Sequence, residues 1–187
     1  MANVTVHLEY DQDTECPTEW GWWKLYSFSN KHINSQNWRC WAKSVNGEVV
    51  GATSKVRQKI NTGAVHLLSY YEHSGSWWSL KGEGVQCRWD TVPVMGVLVW
   101  EGDYRLPAGV EKRKEDARSF LTTYNDWANG QCFYYRIEDE EGNDLGSCGG
   151  FIGAEHFMES VREAIGDNIV VGVQGDAKGL AEHFGLK

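Results

Sequence analysis

The chain has 187 residues, 41% of them apolar and 13% aromatic, with a formal net charge of −8 at pH 7. It is long enough for a substantial core and too apolar to be disordered, and no low-complexity tract, proline-rich linker or repeat divides it, so one domain over 1–187 is expected. An acidic balance repels phosphate and argues against direct DNA or RNA binding; the longest apolar run, Val94 to Trp100, is far short of the ~20 residues of a membrane span.

The N-terminus lacks the basic and apolar regions of a signal peptide, so a cytoplasmic protein is expected. Val4 to Leu8 alternates as a strand and runs into an acidic loop closed by Cys16-Pro17. Asp11 and Asp13 invite a calcium reading, but the glycine and glutamate an EF-hand requires are missing. Trp20 to Phe28 follows, and its second half alternates as a strand with Leu25 opposite Tyr26. Residues 29–53 read as an irregular excursion (29–63 with the short helix that follows), and Thr53 or Ser54 caps that helix, Lys55 to Asn61. Val65 to Tyr71 and Trp77 to Lys81 flank the hairpin signal His73-Ser74-Gly75-Ser76. Val94 to Trp100, apolar on both faces, predicts an internal strand.

The stretch from Lys112 to Phe151 organises the rest. Ala117, Phe120, Leu121, Tyr124, Trp127 and Ala128 fall on one face of a helix that ends at Asn129-Gly130. A hairpin turning at Glu141-Gly142-Asn143 follows. A second helix, Ala154 to Ile165, turns Phe157, Val161, Ala164 and Ile165 inward. Asn168 to Val173 makes a late strand, and Asp176 is expected to cap a last short helix. The fold class is therefore α+β, a mainly antiparallel sheet with two to three helices packed on it.

Four segments occur in one order: Tyr70-Tyr71-Glu72-His73, Trp78-Ser79-Leu80 with Gly82-Glu83-Gly84, Trp127-Ala128-Asn129-Gly130, and Ser147-Cys148-Gly149-Gly150-Phe151. Over about residues 65–155 the chain resembles small acidic proteins encoded by bacteriophages and mobile elements, a group with no assigned activity. The resemblance implies a setting in the host cell cytoplasm and action on host machinery or host defence, by occupying a nucleic-acid-binding surface. It implies no catalytic residue.

Several chemistries are weighed on the residues themselves. The five cysteines are odd in number and scattered, without C-x-x-C spacing or zinc-finger histidines, so reduced and mostly buried thiols are expected, with no metal and no cofactor. No phosphate-cradling glycine loop is present. Cys148 between glycines could act as a nucleophile, with His73 or His156 as base and Glu72 or Asp90 orienting it. A close-packed bend explains those glycines more simply.

Ten tryptophans are the anomaly, where about two or three are usual. Adjacent residues of a strand point to opposite faces, so Trp22/Trp23 and Trp77/Trp78 cannot both be buried by one layer. Trp22 and Trp77 are therefore candidate partner-binding residues. The crowded acids Glu138, Asp139, Glu140, Glu141 and Asp144 form a second candidate, a negative tip suited to a basic groove. The leading expectation is a non-enzymatic, counter-defence binding protein for a host protein, itself a nucleic-acid binder. The alternative is a small thiol enzyme or ligand-binding domain built on Cys148, His73 and Glu72.

Overall fold

The computed structural model describes residues 1–32, 38–46, 48–102 and 106–186. It is an α+β fold of mostly antiparallel strands, divided into two compact units: residues 1–15 with 126–187, and residues 16–125. No helix among the described residues is long and apolar enough to cross a membrane.

The first unit carries a four-stranded sheet of β1 (Asn3–Tyr10), β8 (Cys132–Asp139), β9 (Asp144–Ile152) and β10 (Ile169–Gln174), in the order β10-β1-β8-β9. Only the β1–β10 pair is parallel. Alternation in β1 and β8 puts Val4, Val6, Leu8, Phe133, Tyr135 and Ile137 on one face. Helix α3 (Ala154–Ile165) packs there through Phe157, Met158, Val161 and Ile165. Its bounds agree with the sequence reading, but Ala164 is exposed and Met158 takes the inward place. At 3.6 residues per turn, positions 157, 161, 165 and 158 follow one another in that order around the inner stripe, and 164 lies outside it, beyond 157. Asp176 does not cap the last helix, α4 (Gly179–His183); its Oδ1 accepts the Tyr10 N–H at 2.8 Å and ties the end of β1 to the segment after β10.

The second unit carries a sheet of β2 (Trp23–Ser27), β5 (Val65–Glu72), β6 (Ser76–Leu80) and β7 (Thr91–Trp100), ordered β2-β7-β5-β6. The apolar strand β7 is internal, as its composition requires. One face packs Val65, Val97 and Val99 against Val56 of α1 (Ser54–Ile60), with Trp41, Ala42 and Ala52. Thr53 caps α1, its Oγ1 accepting the Val56 N–H.

The 29–53 stretch is more regular than its polar composition suggests. It holds a 3-10 turn at Trp38–Cys40 and a hairpin of β3 (Ala42–Val45) and β4 (Glu48–Ala52), with Asn46 at φ 53° in the turn; residues 33–37 and 47 lie outside the described residues. Asn-Gly between short strands is a strong hairpin signal that the polar composition masks.

Helix α2 (Val110–Ala128) buries Ala117, Phe120, Leu121 and Tyr124. Its Asp116 Oδ2 accepts the indole N–H of Trp23 at 2.8 Å. Its Asn125 accepts the Trp78 N–H at 2.8 Å and donates to the Trp78 carbonyl at 2.9 Å, closing the outer edge of β6 as one residue of a further strand would. Contrary to the sequence reading, Ala128 is exposed and Trp127 is only half-buried, although both continue the apolar period of the helix.

Candidate interaction surface

The tryptophan pairs divide as strand geometry demands. Trp23 is fully buried while Trp22 is 45% exposed; Trp78 is 4% exposed and Trp77 38%. Trp78 fits because its indole reaches across β5 to Gly96 of β7, where a Cβ would stand 2.9 Å from the ring. Trp22 and Trp77 are not brought together. Trp23 pairs with Trp100 at one end of β7, and Tyr71, the cross-strand partner of Trp77, pairs with Thr91 at the other. The two lie ~30 Å apart along that strand.

At the Thr91 end the structure gathers a set of side chains. Tyr71 packs on Trp77 with ring centroids 5.6 Å apart, and the His73 ring lies over Tyr71 at 6.5 Å. The Glu72 N–H donates to the carbonyl of Asp90, which joins this hairpin end to residues 82–90. That loop presents Trp89, 83% exposed and the most exposed tryptophan among those described, with the Arg88 guanidinium 5.1 Å from its ring centre.

The loop is held from several sides. Thr91 Oγ1 donates to the Val85 carbonyl and accepts the Cys87 N–H, and the Thr91 N–H returns to the Cys87 carbonyl. The Cys87 thiol donates to Asp90 Oδ2 at 3.3 Å, and Gln86 reaches the Glu83 carbonyl. Glu83 is clasped by Arg118 through two 2.8 Å hydrogen bonds and approached by Lys114 at 3.2 Å. The Arg118 hydrogen bonds, chiefly, hold the Glu83 carboxyl down at about 2 against partial burial. Trp89 was missed in the sequence because it lies outside every periodic element. The signal available was a tryptophan flanked on both sides by charge, Arg88-Trp89-Asp90.

The residues of the alternative chemistry are distributed between the units. Cys148 belongs to the first, Glu72 and His73 to the second. His73 Nδ1 stands 3.8 Å from Asp90 Oδ2 and is largely exposed. Beside Cys148, the Gly150 N–H, one of the donors an oxyanion would need, donates to Asp11 Oδ2 at 2.9 Å. A Cβ at Gly149 would sit 3.1 Å from that same carboxylate, so the glycines make room for Asp11. The expectation of mostly buried cysteines fails: only Cys132 is buried, Cys16 and Cys87 are intermediate, and Cys40 and Cys148 are exposed. They fail to bury because they sit in loops and on the β9 edge.

The acidic tip is more structural than crowding alone suggests. Asp139 accepts the N–H groups of Glu141 and Asn143 and the Asn143 side-chain amide, and these Asn143 bonds chiefly lower its carboxyl below the usual range. Glu138 pairs with His7 at 2.8 Å and with Arg136, Glu140 accepts from Asn3 at 2.7 Å, and Asp144 accepts the Gly146 N–H. These bonds order the hairpin without removing its charge.

The two units also divide the charge. The first holds 16 Asp/Glu and four Lys/Arg, a formal −12; the second holds 10 and 14, a formal +4. Splitting the chain at its middle blurs this, because the acids of residues 9–15 belong with those of the C-terminal segment. Comparison with protein-family models, curated proteins and solved structures found no match.

Proposed function

We propose that this chain is a binding protein, without catalysis of its own, that engages a protein partner through Trp89. The observation that carries the reading is the combination of 83% exposure with a loop braced by side chains at both ends. A large apolar ring held in water gains most by being covered, and tryptophan is the residue most enriched among interface hot spots. A loop already ordered loses little entropy on docking, so the ring's burial is returned as affinity. Trp77 and Tyr71, at the same end of the sheet, add further aromatic surface there.

The acidic unit indicates the partner's chemistry: a basic protein, such as one whose own task is to bind nucleic acid, attracted over distance by the −12 charge. With the setting the resemblance implies, the partner would be a host protein and the outcome its inhibition.

The test is a photo-reactive phenylalanine analogue placed at position 89 and, as control, at Val50, which is 55% exposed in the β3–β4 hairpin. The reading expects a protein adduct from position 89 in cells and none from position 50. Adducts from neither, or equally from both, would refute it.

A further inference from the structure

Within the first unit, the end of β1, the loop after it and the α2–β8 connection enclose an open cleft of about 600 Å3, walled by Tyr10, Asp11, Thr14, Trp127, Asn129 and Asp176. We propose that this cleft receives a guanidinium group, the side chain of an arginine carried by a basic partner.

Its walls combine two carboxylates with two aromatic rings, the chemistry that recognises a planar cation. Each wall is fixed. Asp11 Oδ1 accepts the Asp13 N–H at 3.0 Å and its Oδ2 the Gly150 N–H at 2.9 Å. Asp176 Oδ1 accepts the Tyr10 N–H, and the Trp127 indole N–H donates to the Thr14 carbonyl at 3.0 Å. Tyr10 is backed by Phe133 at 5.3 Å between ring centres and leaves 42% of its surface exposed.

Main-chain donors orient the carboxylates without cancelling their charge, and each oxygen keeps capacity for a further donor. None of the lining residues is basic, and among the described residues neither Asp11 nor Asp176 is in an ion pair. The site is thus a pair of uncompensated acids in the unit of charge −12. A guanidinium presents a planar fork of donors to carboxylates and stacks on aromatic faces; an ammonium is a more strongly hydrated point charge. The geometry therefore favours arginine over lysine.

This inference stands on the first unit alone and does not need Trp89. The test is a titration of the full chain at low salt, followed by NMR of the Trp127 indole N–H and the Asn129 amide, with three capped amino acids: arginine, lysine and the neutral isostere citrulline. Saturable shifts at those two groups are expected with arginine, weaker ones with lysine and none with citrulline. Changing Asp11 and Asp176 together to Asn removes both charges, leaves one acceptor oxygen at each position at the cost of one of the two main-chain bonds of Asp11, and should weaken arginine binding by roughly tenfold or more. Tyr10→Ala, which removes a ring and leaves the main-chain ties intact, should weaken it too and serves if the double variant fails to fold. Equal binding of citrulline, tighter binding of lysine, or unchanged arginine binding in the folded variants would overturn the proposal.

Discussion

Glu83 holds Arg118 by two parallel hydrogen bonds, Oε2 to Nε and Oε1 to Nη2, both 2.8 Å. The clasp fixes the loop that carries Trp89 to helix α2, and it makes that anchoring pH-dependent. The Glu83 carboxyl titrates at about 2 rather than at its ordinary 4.5. A group whose folded pKa is depressed stabilises the fold fully above its unfolded value and loses that contribution as pH falls through the folded one. Urea midpoints of wild type and Glu83→Gln should therefore differ at pH 7, converge below about 4.5 and coincide near 2, with a smaller gap at high salt because the pair is partly exposed. A gap that persists unchanged at pH 2 would contradict this.

The tryptophan pairs should separate in stability as they do in burial. Trp78→Ala removes a ring packed over Gly96 and should cost about 3–5 kcal/mol, whereas Trp77→Ala should cost about 1 kcal/mol or less. Trp23→Ala against Trp22→Ala should repeat the contrast. Chemical denaturation of the four variants measures it, and similar losses within either pair would refute the strand assignment of faces.

Asn125 guards an edge. With Ala in its place the N–H and carbonyl of Trp78 lose two hydrogen bonds, at a cost of about 1–3 kcal/mol, and β6 offers an unpaired edge to other chains. A lower melting point together with concentration-dependent aggregation is the expected result. Neither change would show that the edge is closed by something else.

How much of this was legible follows from the range of the forces involved. Period and punctuation are local, so the α3 bounds, a cap at Thr53 or Ser54 and the internal β7 could be read directly, and so could the rule that one tryptophan of each pair must face out. Asn125 and Trp78 are 47 residues apart, and their pairing depends on β6 becoming the sheet's edge, which no local pattern states. The same is true of Asp176, whose carboxylate finds Tyr10 in place of a helix end. For the candidate site, Trp22 and Trp77 were identifiable as outward-facing. That they stand at opposite ends of β7, and that Trp89 is the anchored one, emerges only from strand order and loop bracing.

The acidic tip offers a kinetic prediction. Changing Glu138, Glu140 and Glu141 to Gln leaves Asp139 in the turn, so the β8–β9 hairpin should persist. Association with a basic partner should slow roughly tenfold at low salt, with the difference fading as salt rises. Equal rates for both proteins across the salt series would confine the tip to solubility.

The central claim is that Trp89 anchors a partner, and its most direct measurement is the affinity of wild type, Trp89→Ala and Trp89→Phe for the protein cross-linked at that position. Because the ring is 83% exposed, Trp89→Ala should change folding stability by about 0.5 kcal/mol or less. It should nevertheless weaken binding by roughly thirtyfold or more, with Trp89→Phe falling between. A folded Trp89→Ala variant that binds the partner as tightly as wild type would contradict the account.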